Sequence, residues 1–309
     1  MRSIAVGMII LLLMAASPSV FAGDEQGGYA GSFLAWGAGP KAIALGKTFA
    51  ALADDGSSLF WNPAGLTQLK KNEVFLMHAI VFEDRQQNFF SLSYPLPHIT
   101  VSAGWLRFGV SDIQERDTQG QLLGTFSDAE NLFLLGAGMS VLDQAGLSVR
   151  AGLAGRYFYH SLFNYHGSGF GVDAGGMLTY ALTGFIKRVG VAAVVQNIGA
   201  SIKWNTDSGH KDNVPLGVRL GAVAEASIVP ALVTIDLEKN QYQNMRVHAG
   251  VEYTWQVLAL RIGVNNKKFT AGAGVLVNLE MLEVGVDYAY TTDDISEKAL
   301  HFFSLRGMF

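Results

Sequence analysis

Apolar and polar residues alternate one by one along most of this chain. In 245–255 one face carries Val247, Ala249, Val251, Tyr253 and Trp255, while the other carries Arg246, His248, Gly250, Glu252 and Thr254. A strand turns successive side chains to opposite faces, so this spacing predicts a strand whose two sides meet different surroundings. The split recurs in 147–159, where Val149, Ala151, Leu153, Tyr157 and Tyr159 oppose Arg150, Gly152, Ala154 and Arg156, and in 283–291. Followed from residue 70 onward, the pattern predicts fourteen strands, near 73–82, 87–95, 98–110, 129–142, 147–160, 168–182, 188–203, 214–226, 231–239, 245–255, 258–265, 269–278, 282–291 and 298–309.

An even strand number with connections of alternating length is the pattern of an up-and-down meander between two unequal compartments. Polar tracts at 111–127, 204–213 and 292–298 follow odd strands, and tight turns such as 96–97 and 143–146 follow even ones. The spacing is roughly 17 residues per strand with its loop, enough for the 9–11 residues that cross a bilayer. Aromatics fall near strand ends (Phe82, Tyr94, Trp105, Tyr157, Tyr180, Tyr253, Tyr290), where a membrane barrel carries its interfacial girdles. The ending Phe303-Ser304-Leu305-Arg306-Gly307-Met308-Phe309 resembles the assembly signal of bacterial outer-membrane barrels. Phe303, Leu305 and Phe309 would present it to the barrel-assembly machinery. A secreted β-sandwich also alternates, with its apolar face inward. Loop asymmetry, girdling aromatics, the terminal Phe309 and a low charge content favour the barrel.

Composition narrows the function. The 309 residues are 50% hydrophobic and 16% charged, with 36 glycines, 7 prolines, no cysteine and a formal charge of −4. Neither disorder nor nucleic-acid binding by phosphate neutralisation fits that balance. Disulfides, thiolate metal sites and a cysteine nucleophile are excluded. Residues 1–22 read as a cleaved signal peptide: Arg2, an apolar run of about a dozen residues, and Val20 and Ala22 ahead of the cut. The rest has no apolar run long enough for a spanning helix.

Residues 23–70 do not alternate. They are apolar and glycine-rich, with a short helix or irregular element over 42–53, and this reads as a plug that stays dry inside the lumen, followed by the barrel at 71–309. The run Gly39-Pro40-Lys41-Ala42-Ile43-Ala44-Leu45-Gly46-Lys47-Thr48-Phe49-Ala50-Ala51-Leu52-Ala53-Asp54-Asp55, followed by Trp61-Asn62-Pro63-Ala64-Gly65-Leu66, resembles the N-terminal hatch of the FadL superfamily of outer-membrane transporters for hydrophobic compounds. Within it the resemblance is to the PorV/PorQ branch, also through Gln196-Asn197-Ile198-Gly199, Pro215-Leu216-Gly217-Val218-Arg219 and Asp287-Tyr288-Ala289-Tyr290. It implies an all-β, 14-stranded antiparallel up-and-down transmembrane barrel with the hatch in its lumen, in the outer membrane of a Gram-negative-type bacterium. It also implies a hydrophobic small-molecule ligand released sideways through the wall or, in the PorV branch, secreted protein cargo accepted at the cell surface.

Little points to catalysis. Gly46-Lys47-Thr48 has Lys41 where a phosphate-binding loop needs glycine, and Gly167-Ser168-Gly169 lacks the frame of a nucleophile elbow. His160 and His166 could hold a metal, though solvated loop histidines are the commoner case. The inward face is expected to carry Arg150, Arg156, Asp173, Arg219, Glu225, Asp236, Glu238, Arg246, Glu252, Arg261, Glu283, Asp287 and Arg306, pairing across strands, docking the hatch or lining a polar path. Asn62, Pro63, Ala64 and Gly65 are expected to set hatch position, since proline fixes φ and an asparagine amide can satisfy turn carbonyls. Phe33, Trp36, Phe49, Phe60 and Trp61 are expected to contact ligand. The reading is passive uptake of a hydrophobic, long-chain fatty-acid-like molecule, with no cofactor, no metal and no enzymatic step, in contact with outer-membrane lipid. The alternatives are a docking or shuttle component of a secretion system and a structural barrel.

Overall fold

The computed structural model describes residues 29–81, 85–292 and 298–309. The signal-peptide reading, the first residues after it and Phe82 lie outside them. The described chain is mostly antiparallel sheet: β1 Glu73–Ile80, β2 Gln86–Pro95, β3 Ile99–Arg116, β4 Leu122–Gln144, β5 Leu147–Leu162, β6 Tyr165–Ala181, β7 Ile186–Ile198, β8 Ser201–Trp204, β9 Lys211–Asn213, β10 Gly217–Ala226, β11 Ala231–Asn240, β12 Arg246–Trp255, β13 Leu258–Asn265, β14 Lys268–Leu279, β15 Leu282–Thr292 and β16 Ala299–Met308. Each barrel strand pairs with its chain neighbours, β7 pairs with β10, and β16 returns to β1 from Glu73↔Met308 to Ile80↔His301. Closure therefore uses fourteen strands, with β8 and β9 forming a separate small hairpin. The seam is extended by main-chain bonds in both directions between Asn72 and Phe309, at 3.1 and 3.0 Å.

The two faces of the wall are inverted relative to a soluble protein. Leu135, Phe170, Leu220, Ile262 and Val286 point outward, with Leu135 70% and Phe170 71% exposed. Ser91, Thr100, Arg156, Asp173, Thr234 and Asp287 point inward and are buried. A soluble sandwich would do the opposite, so the sandwich alternative falls. An apolar belt around a closed sheet suits hydrocarbon, where every backbone N–H and C=O must find its partner in the wall. Across β3 to β6 the belt carries a run of neighbouring rings: Trp105 stacks on Phe133 at 6.4 Å, Phe133 on Tyr157 at 6.1 Å, and Tyr157 meets Phe170 at 4.7 Å.

Three boundaries differ from the sequence reading. The expected loop at 111–127 is instead a ribbon in which β3 and β4 stay paired to Arg116↔Leu122, leaving 117–121 as the turn. Outside lipid neither face need be apolar, so alternation fades while pairing continues. The expected seventh strand, 188–203, stops at Ile198, where Asn197 and Gly199 adopt φ of 61° and 68°. The chain then folds back as β8, which pairs with β6 at Gly167↔Trp204 and Ser168↔Lys203. In the 42–53 element only the helix Pro40–Ala44, starting before it, is α-helical.

Candidate functional site

The lumen is filled by residues 29–69, which run as a 3-10 turn at Ser32–Trp36, the helix Pro40–Ala44, a helical turn at Ser58–Trp61 and a second 3-10 turn at Pro63–Gln68. Ala42, Ala44, Leu45, Phe49, Leu52, Leu59 and Leu66 are fully buried. Pro40 opens its helix at the first position, where its missing N–H costs nothing. Asn62 caps the last turn: its Oδ1 accepts from the Ala64 N–H at 3.0 Å, and its Nδ2 donates to the Ala50 carbonyl at 2.7 Å. Trp61 Nε1 donates to the Ala38 carbonyl at 2.6 Å. Gln68 donates to the carbonyls of Leu52 and Ala53.

The wall makes room for this segment with inward glycines. A Cβ on Gly138 of β4 would lie 2.5 Å from the Pro63 carbonyl oxygen, one on Gly152 of β5 would overlap Pro63 and Ala64, and one on Gly175 of β6 would overlap the Asn62 amide. Opposite them, Gly250 of β12 and Gly263 of β13 lie against Leu45 and Gly46, and Gly221 of β10 against Ala50 and Ala51. Sequence reasoning put Gly152 and Gly250 on the polar face, but the surface each accommodates depends on the packed segment.

Inward charges grip the segment's main chain. Arg156 bonds Asp173 at 2.6 Å and donates to the Phe60 carbonyl at 3.0 Å, which also receives Gln196 at 2.9 Å. Asp236 accepts from the N–H groups of Phe49 and Ala50 at 3.0 and 3.1 Å. Arg219 bonds Glu238, lies 3.4 Å from Asp236 and donates to the Lys47 carbonyl at 2.8 Å. His248 Nδ1 lies 2.9 Å from the Gly46 carbonyl oxygen; a carbonyl only accepts, so Nδ1 carries the proton. Arg261 joins Glu252 to Asp287 at 2.5 and 2.6 Å, and Lys41 bonds Asp54 at 2.8 Å. Burial pushes the Asp54 carboxyl up, yet the Lys41 ammonium outweighs it and leaves the group below the usual carboxylate range. Burial lifts Asp55 above that range.

The remaining charges sit nearer the rims. Arg150 donates to Thr179 at 2.8 Å, Glu225 pairs with Lys187 and Arg188, Glu283 pairs with Lys71, and Arg306 packs against Gly285. His160 faces Asp128 at 2.7 Å, away from a metal-like grouping with His166; among the described residues no cluster of three such ligands has metal-binding geometry. Phe303, Leu305 and Phe309 are exposed on the outer surface.

A cavity of about 70 Å³ lies between the segment and the wall. Its rim includes Asn197, Gly217, Asn240 and Asn265, at the strand ends that adjoin the connections after odd-numbered strands. Phe60 and Trp61 line it, with the Arg156 guanidinium 5.3 Å from the Phe60 ring centre and that of Arg219 5.0 Å from the Trp61 ring centre. The other three aromatics expected at a ligand lie elsewhere: Phe33 and Phe49 are buried in packing, and Trp36 stacks on Phe108 at 6.3 Å. Lys47, Gln196 and His248 line the cavity and were not singled out from sequence as ligand contacts.

No protein-family model and no curated protein sequence matches the chain. Solved structures do. The Pseudomonas putida toluene transporter TodX superimposes with a TM-score of 0.58 at 13% identity, over 88% of this chain and 96% of that one. This chain shares the fold of a hydrocarbon-transport barrel. The CymD monoaromatic hydrocarbon channel gives 0.52 at 15% identity over 88% and 98%, and a Pseudomonas aeruginosa FadL homologue gives 0.50 at 9% over 87% and 97%.

Proposed function

We propose that the chain is an outer-membrane channel for passive uptake of hydrophobic small molecules, of the FadL type, held shut by residues 29–69. The observation that carries this reading is a barrel with apolar belt outside and a lumen filled by a segment docked through hydrogen bonds and glycine contacts, in a fold shared with a toluene transporter. The segment is the hatch, and the Asn62-Pro63-Ala64-Gly65 turn sets its position. A solute entering the mouth cavity meets Phe60 and Trp61 in its lining. Its sideways route lies where the β6–β7 ladder ends at Val172↔Ile198 and the β8–β9 hairpin takes over beside β6. Uptake down a gradient needs no cofactor.

Liposomes carrying the purified chain should take up labelled toluene or a labelled fatty acid faster than empty liposomes. Equal rates, with the barrel folded by heat-modifiability on gels, would sink the reading. A second reading, a PorV-like docking component for secreted cargo, draws on one feature: the β3–β4 ribbon projects past its neighbours and exposes Leu122 and Leu123 near its tip. Co-purification of an exported protein that is lost when 113–125 is shortened would favour it.

A further inference from the structure

The outer face of the wall changes character at a single register. From β1 to β6 the outward residues Leu76, Phe90, Trp105, Phe133, Tyr157 and Phe170 pair strand to strand as one apolar, mostly aromatic row. Two residues further along each strand, toward the connections after odd-numbered strands, the same ladders read His78, Asn88, Arg107, Asn131, Tyr159 and Ser168. The β8–β9 hairpin continues this polar row, because Ser168 pairs with Lys203 and Lys203 with Lys211. Trp105 spans the step: its ring stacks on Phe133 below, and its Nε1 donates to the Asn131 side-chain oxygen above at 3.1 Å. An indole held with its body among apolar groups and its N–H among polar ones marks the level where lipid tails give way to headgroups. The rim with the longer connections faces the cell exterior in barrels of this kind, so these headgroups belong to the outer leaflet.

Cations and neutral polar groups are segregated along the row. The exposed Arg107 stands on one side, the exposed Lys203 and Lys211 on the other, and Asn131, Tyr159 and Ser168 lie between them. None of these positions is acidic. Asp212 of the hairpin pairs with the buried Ile202 on the opposite face and binds Trp204 and His210. Asp112, Glu115 and Asp117 belong to the β3–β4 ribbon further out, and Glu83 and Asp84 lie outside the described residues. Arg107 and Lys203 are four strand spacings apart, about 19 Å. Their long side chains shorten that span from both ends. A headgroup of linked sugars with a phosphate at each end matches this order: guanidinium and ammonium take the phosphates, the amide and hydroxyl groups take the sugar hydroxyls, and the aromatic row beneath takes the acyl chains. A headgroup with one phosphate and no sugar would engage one end only.

We infer that the outer face of β3–β6, with the β8–β9 hairpin, binds the headgroup of a phosphorylated glycolipid of the outer leaflet. The assignment rests on the outer-membrane part of the reading above and is independent of which solute crosses. The ladder between β6 and β8 holds only the pairs Gly167↔Trp204 and Ser168↔Lys203, so a headgroup reaching Lys203 also ties the hairpin to the wall. The test is to reconstitute the full chain in phosphatidylcholine mixed with equal amounts of lipid A, a diphosphorylated disaccharide lipid, and phosphatidylglycerol, then to extract it in mild detergent and count retained lipid by native mass spectrometry. Lipid A should be retained about tenfold over phosphatidylglycerol, and less so as salt rises. Arg107→Gln and, separately, Lys203→Gln should each lower retained lipid A about tenfold. Lys187→Gln, at the opposite rim, should leave it within about twofold, because charges beyond a Debye length are screened. Folding of each variant is checked by heat-modifiability. Equal retention of the two anionic lipids, or a loss with Lys187→Gln as large as with Arg107→Gln, overturns the assignment. Solute uptake with no preference for lipid A keeps the uptake reading and sinks this one. Lipid A retained with the expected variant effects, but no solute crossing, does the reverse.

Discussion

Two stretches of wall hold the inner segment, and they do so by different means. Against β4, β5 and β6 the Asn62-Pro63-Ala64 turn rests on Gly138, Gly152 and Gly175, and the Asn62 side chain spends its hydrogen bonds inside the segment, on Ala64 and Ala50. Against β10, β11 and β12 the stretch 46–50 has its N–H and C=O groups taken by the wall, through Asp236, Arg219 and His248. Leaving the first surface loses contact area and, beside the turn, the bond from Arg156 of β5 to the Phe60 carbonyl. Leaving the second orphans main-chain groups and a charge network in a closed lumen, which is far more costly. The lesson is mechanical: the β10–β12 side holds the segment by more main-chain bonds, and the turn on β4–β6 is the weaker hold.

The sharpest way to break that contrast is to weaken the β10–β12 hold. Asp236→Ala leaves the Phe49 and Ala50 N–H groups without acceptors and deprives Arg219 of a buried partner, which typically costs about 3–5 kcal/mol. The expected outcome is a barrel that still assembles but whose 46–52 amides exchange rapidly with deuterium and whose channel conducts in planar bilayers. Slow exchange there would mean the stronger hold lies elsewhere. Gly152→Ala should do less, about 1–3 kcal/mol from overpacking, and should loosen the turn while the 46–52 amides stay protected. Gly155→Ala is its control, because a Cβ there would meet nothing nearer than the Leu135 carbonyl oxygen at 3.8 Å. Equal effects from the two glycine variants would remove the wall-contact argument.

Period-two alternation made the strands legible because each residue's face is decided locally by lipid on one side and protein on the other. Each of the fourteen segments therefore overlaps a barrel strand, the seventh only as far as Ile198, and Arg156, Asp236 and Glu252 point inward. What alternation cannot encode is contact across the lumen. Gly175 looks like any strand glycine until Asn62 is packed against it, and Lys47 reads as part of a failed phosphate loop until its neighbour Gly46 is seen bound to His248. The ribbon at 111–127 was missed for the converse reason: strands persist there by pairing after the lipid that enforces alternation has ended. Trp36, expected at a ligand, packs on Phe108 because aromatic character does not distinguish core from cavity.

Asn62→Ala sharpens the contrast on the turn side. It removes the acceptor for Ala64 and the donor for Ala50, a loss of about 1 kcal/mol for a cap of this kind. If the turn is the weaker hold, the variant should raise the frequency of brief conductance openings without changing exchange at 46–52. Openings at wild-type frequency would argue that the cap has no bearing on the turn's release.

The smallest effect belongs to Lys41–Asp54, a pair joined within the segment itself, with Asp54 about one-third exposed. Asp54 titrates below its ordinary value and Lys41 above its own, because each favours the other's charged form against burial. The sign follows from linkage. The carboxylate's contribution is present above the unfolded carboxyl pKa of about 3.9 and is lost as pH falls through the lowered folded value. The ammonium's contribution is present below the unfolded lysine pKa of about 10.4 and is lost as pH rises through the raised one. Partial exposure limits the pair to about 1 kcal/mol or less. Asp54→Asn should therefore lower the thermal midpoint slightly at pH 7, with the difference from wild type shrinking as pH falls through the lowered folded value. Because the pair ties the segment to itself and not to either wall, the variant should shift exchange at 46–52 and opening frequency equally little. A selective effect on one of them would reassign Lys41 to that wall, with Glu252, 4.0 Å from its ammonium, as the point of attachment.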